Sequence, residues 1–117
     1  GIVRTEDEMQ QAKEGIAKLR ERREKIALAG NIDFNPSWHT SLDLHNLLNV
    51  SEAITLAAIE RKESRGGQFR DDYPNKSPEF GKVNFVVKKG ADGQMKIRPV
   101  PIPEMPDELK QIIEEMG

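Results

Sequence analysis

One charged stretch of the chain has residue types and spacing that could do chemistry. Arg61 and Arg65 are four residues apart, so they share a face if this part of the chain is helical. A guanidinium group presents a planar fork of N–H donors that binds carboxylates or phosphates through paired hydrogen bonds. The charged set of this stretch is Glu60, Arg61, Glu63, Arg65, Arg70, Asp71 and Asp72. The set therefore favours recognition between arginine and carboxylate groups.

Three uses of this charged set stay open from the residues alone. It could be an internal ion-pair cluster, in which Glu63 holds Arg65 and Asp72 holds Arg70. It could be a contact patch that presents arginines to another domain, or a site for the carboxylate of a substrate. Nucleic-acid binding is not predicted, because acidic residues occupy the same stretch. The predicted docking or ion-pair residues are Arg61, Glu63, Arg65, Arg70 and Asp72.

No catalytic, cofactor-binding or metal-binding residue is predicted in this chain. There is no cysteine, no Gly-x-Gly-x-x-Gly turn and no phosphate-binding loop. His39 and His45 are six residues apart, which does not place them on one helical face as a metal-binding pair requires. No carboxylate stands alone in an apolar run, where a raised pKa would make it a general acid.

Length and composition predict one domain, spanning residues 1–117, with a thin core. Hydrophobic residues make up 36% of the chain and charged residues 32%. The net charge of −2 gives no overall attraction to nucleic acid or anionic lipid. No apolar run approaches the roughly 18 to 20 residues that a membrane span needs, so no direct membrane insertion is predicted.

Helices must position the charged set, and the apolar periodicity predicts three of them. Thr5 with Glu8 forms a capping box at the start of the first helix. Asn35, followed by a proline, is the predicted N-cap of the second. Asn49 is the predicted N-cap of the third, and Gly66-Gly67 is its predicted end. The predicted ranges are 1–30 for helix 1, 36–48 for helix 2 and 49–66 for helix 3.

The remaining segments contain one strong turn signal. Asp92-Gly93 lies between two runs of alternating apolar residues, as is typical of a β-hairpin. The predicted segments are a charged loop over 67–81, the hairpin over 82–100, and a Pro-rich tail with a short helix over 101–117. The predicted fold class is mainly α: a three-helix bundle of the spectrin-repeat type, followed by a small β-hairpin and a short C-terminal helix.

The charged stretch also carries a family resemblance. The run from Ala57 to Gly66, followed by Arg70, Asp72 and Pro74, resembles the signature of the C-terminal domain of succinate dehydrogenase and fumarate reductase flavoprotein subunits. L-aspartate oxidase shares a close variant of this signature. Many members of the family have histidine at the position that Gln68 occupies here.

The resemblance implies a role for the chain within a larger enzyme. The parent would interconvert succinate and fumarate and pass electrons from FAD to iron–sulfur clusters. Its FAD would lie in an N-terminal flavin domain, and a capping domain would close over the substrate. This chain would be scaffold and docking surface for those two domains and for an iron–sulfur subunit. Alone, it is expected neither to bind FAD tightly nor to oxidise succinate.

The resemblance also implies a cellular place, and it leaves two alternatives. The parent would be cytoplasmic, peripheral on the inner face of the membrane through its partner subunits. The first alternative is the C-terminal domain of L-aspartate oxidase, which is usually helical throughout, so that the predicted hairpin favours the dehydrogenase. The second alternative is a free-standing helical interaction module with a proline-rich tail.

Overall fold

Two long helices form the body of the fold. A computed structural model describes residues 2–26, 28, 30–31 and 33–116. The two helices run antiparallel, because Met9, near the start of the first, contacts Ala58 and Ile59, near the end of the second. The helices are α1 (Glu6–Glu24), α2 (Pro36–Glu60) and α3 (Asp107–Met116), and the strands are β1 (Val3–Arg4), β2 (Phe69–Arg70), β3 (Val83–Lys89) and β4 (Met95–Pro101).

Both predicted caps at the starts of the long helices are confirmed. The Thr5 hydroxyl accepts a hydrogen bond from the backbone N–H of Glu8 at 3.4 Å. The Asn35 side chain accepts one from the backbone N–H of Ser37 at 3.1 Å, and Pro36 occupies the first turn. Each cap gives a partner to an N–H group that has none within the helix, which is why local sequence located these two starts.

The mainly helical class is confirmed, but the predicted helices 2 and 3 are one helix, α2. Asn49 lies inside α2 and does not cap a helix start. Its side chain instead accepts a hydrogen bond from Arg20 at 2.8 Å and lies 3.2 Å from the His45 ring nitrogen. Glu52, the other half of the predicted capping box, forms an ion pair with Arg20. The described residues therefore contain a two-helix hairpin where a three-helix bundle was predicted.

Two helix ends also differ from the predicted ones. The first helix was predicted over 1–30, but α1 spans Glu6–Glu24 and ends where the N–H of Lys25 bonds back to Arg22. Residues 1, 27 and 29 of that range lie outside the described residues. α2 ends at Glu60, six residues before the predicted Gly66, because side chains from the following loop bind its last carbonyls.

The core between the two helices is small. Met9 of α1 packs in one buried cluster with Ala58 and Ile59 of α2. The alanine leaves room for the methionine, so the two helices approach closely at this end. Leu48 is also buried, whereas Trp38 remains about one-third exposed.

Two small sheets complete the fold. β1 pairs in parallel with β2, which brings the segment before α1 to the loop that follows α2. The predicted hairpin is present: β3 and β4 are antiparallel, and Gly93 has the positive φ of 77° that the turn requires. All ten residues of α3 are exposed. Within the described part of the chain, no helix has both the length and the apolarity to cross a membrane.

Candidate functional site

Arg70 is the centre of the charged loop. Its side chain is fully buried, and all five of its N–H groups donate hydrogen bonds. Two go to the carboxylate of Asp72, at 2.9 and 2.6 Å, and one goes to Glu6 at 2.7 Å. The other two go to the backbone carbonyls of Ala58 and Ile59, at 3.2 and 3.0 Å. A buried arginine with every donor used joins three parts of the chain and has no N–H left for a ligand.

The position of Arg70 explains the end of α2. The last carbonyls of a helix have no partner inside it and carry partial negative charge, which a cation stabilises. Arg70 supplies that cation, and Gln68 adds hydrogen bonds from its amide nitrogen to the carbonyls of Ala58 and Arg61, at 3.2 and 2.9 Å. The Arg70 guanidinium also lies over the ring of Tyr73, 4.8 Å from its centre. The loop therefore provides the cap that a glycine was predicted to provide.

Glu63 is the centre of a second buried group. Its side chain is fully buried, and one carboxylate oxygen accepts hydrogen bonds from Arg61 at 2.6 Å and Arg65 at 2.8 Å. The other oxygen accepts the backbone N–H of Ser77 at 2.8 Å. The hydrogen bond from Arg65 is the largest cause that lowers the pKa of Glu63 to about 2; burial opposes it, while the Ser77 amide and Arg61 reinforce it.

Arg61 and Arg65 connect this second group to the segment that leads into the hairpin and to its first strand. Arg61 donates to the carbonyls of Phe80 and Val83, at 3.0 and 3.1 Å, and lies 5.0 Å from the centre of the Phe85 ring. Arg65 donates to the carbonyl of Ser77 at 3.0 Å, and its side chain remains 38% exposed. The end of α2, the loop and β3 are thus held by one set of charge-assisted bonds.

The carboxylates of the Arg70 group are also held in their charged form. The hydrogen bonds from Arg70 lower the pKa of Asp72 to about 2, and the same contact raises the pKa of Arg70. Hydrogen bonds from Gln10 and then from Arg70 lower the pKa of Glu6. A general acid needs a raised pKa, so these carboxylates are poor candidates for proton transfer.

The five predicted site residues lie in one region but in two groups. Arg70 with Asp72 forms one group, and Glu63 with Arg61 and Arg65 forms the other; the two predicted ion pairs, Arg65–Glu63 and Arg70–Asp72, are both present. Glu60 and Asp71 of the wider charged set are exposed. Nowhere in the described ranges do three potential metal-ligating side chains converge.

Sequence reasoning did not assign three side chains to this site. Glu6 is absent from the predicted site residues, and its bond to Arg70 spans 64 residues. Ser64 accepts the backbone N–H of Arg70 at 2.8 Å and donates to the carbonyl of Tyr73 at 2.9 Å. Gln68 was noted only as a departure from histidine. Glu6 is far from Arg70 in the sequence, and the partners of Ser64 and Gln68 are six to ten residues away across an irregular loop, so no spacing pattern marks these contacts.

The fold and the charge clusters define the class of this domain. It is a small, mainly helical domain: a helical hairpin with a two-stranded antiparallel sheet, whose charged loop is held by internal hydrogen bonds and ion pairs. The family described as "Fumarate reductase flavoprotein C-term" matches residues 1–112. The chain belongs to this family, the C-terminal domains of the succinate dehydrogenase and fumarate reductase flavoprotein subunits.

Individual relatives agree with the family. The fumarate reductase flavoprotein subunit of Mycobacterium tuberculosis is 32% identical over 106 residues, which are 87% of this chain and 18% of the relative. That of Haemophilus influenzae is 40% identical over 87 residues, 74% of this chain and 14% of the relative. L-aspartate oxidase of Vibrio cholerae matches as well, at 33% identity. The chain thus spans less than a fifth of the length of these curated relatives.

A solved structure shows the same fold. Mycobacterium smegmatis Sdh1 in complex with UQ1 superposes with a TM-score of 0.78 and 36% identity. The superposition covers 96% of this chain and 20% of that one.

Proposed function

We propose that the chain is the C-terminal scaffold and docking domain of an FAD-dependent flavoprotein subunit that interconverts succinate and fumarate. The observation that carries this proposal is an apolar strip on α2, formed by Leu47, Val50 and Ile54. Their exposed fractions are 63%, 58% and 57%, although they lie in the middle of the longest helix. An exposed apolar strip of this kind on a small domain is typical of an interface with another domain or subunit.

The chemistry of the strip fits a permanent contact with the parent's own flavin domain. α2 contains no lysine or arginine between Pro36 and Glu60. Permanent interfaces resemble a protein core cut in half and are depleted of charge, whereas transient ones are more polar. An open cleft of about 350 Å³ beside the strip extends toward α1; most of its lining is apolar, including Val3, Met9 and Ile54, and Arg4 and Glu8 also line it.

The outer side of the charged loop supports a second contact, which we assign to the iron–sulfur subunit. Phe69 and Tyr73 are each about two-fifths exposed in this loop, and Phe69 lines the same open cleft as Arg65. Aromatic and arginine side chains are the types that contribute most to binding at protein interfaces. In this assignment Arg65 contacts the partner directly. Arg70 acts only by positioning the loop, because its donors are all used within the chain.

FAD belongs to the parent and not to this chain. Dinucleotide sites place the pyrophosphate at a helix N-terminus whose partial positive charge is free. Here α1 begins with Glu6, Asp7 and Glu8, and α3 begins with Asp107 and Glu108, so these two starts repel a phosphate. The start of α2 has no acidic residue, but the Asn35 side chain already accepts the backbone N–H of Ser37 there. The residues of this chain do not fit the cofactor. The proposal therefore assigns FAD and the reacting groups to the flavin and capping domains, and assigns peripheral membrane attachment to partner subunits.

The hairpin β3–β4 favours this function over that of L-aspartate oxidase. The resemblance implies that the corresponding domain of L-aspartate oxidase is helical throughout, whereas residues 83–101 here form an antiparallel sheet. Arg61 also joins this sheet to the end of α2, so the hairpin is an integral part of the scaffold.

A single charge in the strip tests the docking role. In the full-length protein, Val50→Asp should lower the melting temperature of the flavin-bearing body and reduce succinate oxidation at least tenfold, because the charge would be buried without a partner. Gln11→Asp, which adds the same charge to an exposed position on α1, is the matched control and should change neither quantity. Equal behaviour of the two variants would overturn the proposal.

A further inference from the structure

The hairpin has one strongly basic face. In the pairing of β3 with β4, Val86 lies opposite Arg98 and Lys88 lies opposite Lys96, so these four side chains share a face. We call them the basic face. Like charges placed directly opposite each other destabilise a strand pair. Asp92 pairs with Lys96 at 2.8 Å, but within the described ranges Lys88 and Arg98 form no ion pair. The basic face therefore has the chemistry of a surface for an acidic partner.

The short helix α3 has the complementary chemistry. Its four apolar side chains lie on one side, and all four are between 45% and 83% exposed: Leu109, Ile112, Ile113 and Met116. Its charged residues are four carboxylates against a single lysine: Asp107, Glu108, Glu114 and Glu115 against Lys110. A helix of ten residues is marginal in water on its own, so a tertiary or quaternary contact must stabilise it.

Other occupants of the two surfaces are disfavoured. An acidic helix is repelled by anionic lipid headgroups, which excludes a membrane as the partner of α3. The apolar strip on α2 has no lysine or arginine beside it along that helix to meet the carboxylates. The segment between β4 and α3 contains Pro103 and Pro106, which favour an extended backbone and oppose a sharp reversal onto the same hairpin.

We propose that two copies of the protein exchange α3, each laying it across the basic face of the other's hairpin. The apolar side of α3 covers Val86, and the flanking carboxylates meet Lys88 and Arg98. Each copy supplies one helix and one hairpin, so the contact closes with two-fold symmetry, and no α3 and no basic face is left without a partner. This contact is independent of the docking strip on α2 and of the proposed enzymatic function.

Charge reversal on each side provides the test, in the full-length protein. The hairpin variant carries Lys88→Glu with Arg98→Glu. The helix variant carries Glu108→Lys with Glu115→Lys, the two carboxylates that flank the apolar side of α3 and, seven residues apart, share one face of the helix. By sedimentation, the unaltered protein should have twice the mass of one copy, and each variant alone should have a dissociation constant at least tenfold higher. Lys13→Glu with Lys18→Glu on α1 is the matched control and should change the dissociation constant less than twofold.

Mixing the two variants distinguishes exchange between copies from other contacts. In an equimolar mixture, both helix–hairpin contacts again join opposite charges, so the mixed dimer should form with a dissociation constant within threefold of the unaltered one. If α3 instead docks on the hairpin of its own copy, mixing the two variants should not restore dimer formation. Docking of α3 on a different subunit predicts that the hairpin variant leaves the mass and the dissociation constant unchanged. Either result, or a single-copy mass for the unaltered protein, would overturn the proposal.

Discussion

Glu6 and Arg70 are 64 residues apart in the sequence, and their side chains meet at 2.7 Å. This bond joins the first turn of α1 to the loop that closes the end of α2. The backbone supports the same junction, since the N–H of Glu6 donates to Asp72 and the N–H of Asp71 donates to the carbonyl of Arg4. The helical hairpin is therefore closed at one end by polar contacts, and its thin core is not its only support.

Loss of the Arg70 side chain should be severely destabilising. Arg70→Ala leaves two helix carbonyls without their donor and removes the buried partner of Asp72 and Glu6, whose own side chains are 29% and 38% exposed. Because solvent reaches both carboxylates, the expected cost is about 2–4 kcal/mol, below that of a fully buried ion pair. Arg70→Lys should also be destabilising, because an ammonium has three donors and no planar fork. The measurement is the free energy of unfolding by urea. Lys62→Ala, at an exposed position of the same loop, should stay within about 0.5 kcal/mol of the unaltered protein.

Acid should weaken the fold through Glu63 and Asp72. Their ordinary pKa values are 4.5 and 3.8, and the native contacts lower both to about 2. A carboxylate whose folded pKa is depressed contributes stability above its unfolded pKa, and this contribution is lost as pH falls through the folded value. The melting temperature should therefore be level near neutral pH and fall steadily between about pH 4.5 and pH 2.

Removing both carboxylate charges checks the origin of this acid sensitivity. In a variant with Glu63→Gln and Asp72→Asn, the melting temperature at neutral pH should be lower, and its decline on acidification should be shallower than in the unaltered protein. Replacement of two exposed carboxylates on α1, Glu14→Gln with Glu21→Gln, should leave the slope unchanged. A slope that is the same in all three proteins would assign the acid sensitivity to other groups.

The Gln68 side chain should contribute to stability through the helix end. Gln68→Ala removes hydrogen bonds to the carbonyls of Ala58 and Arg61, with an expected cost of about 1–2 kcal/mol. Gln68→His should recover only part of this, because a neutral imidazole has a single N–H to donate. Unfolding in urea of the two variants, beside Gln11→Ala as a control, measures the difference; equal stability of all three would contradict a capping role.

The parts of the fold that sequence predicted are those whose cause is local. Thr5 and Asn35 lie within three residues of the N–H groups they cap, and the Asp92-Gly93 turn joins neighbouring strands, so the pattern and the structure agree. Asn49 misled the prediction because its partner, Arg20, lies on another helix. Arg65 and Arg70 could be paired with Glu63 and Asp72 because each pair is two residues apart, whereas Glu6 could not be placed beside Arg70 from spacing.

The most direct test of the docking function is the accessibility of the α2 strip in the full-length protein. The chain contains no cysteine, so Val50→Cys and Gln11→Cys each add one thiol to it, on the strip and on the exposed side of α1 respectively. Labelling with a maleimide, measured relative to the parent protein without either substitution, gives the rate for each site. If the strip is covered by the flavin domain, the thiol at position 50 should react at least tenfold more slowly than the thiol at position 11; equal rates would contradict the account.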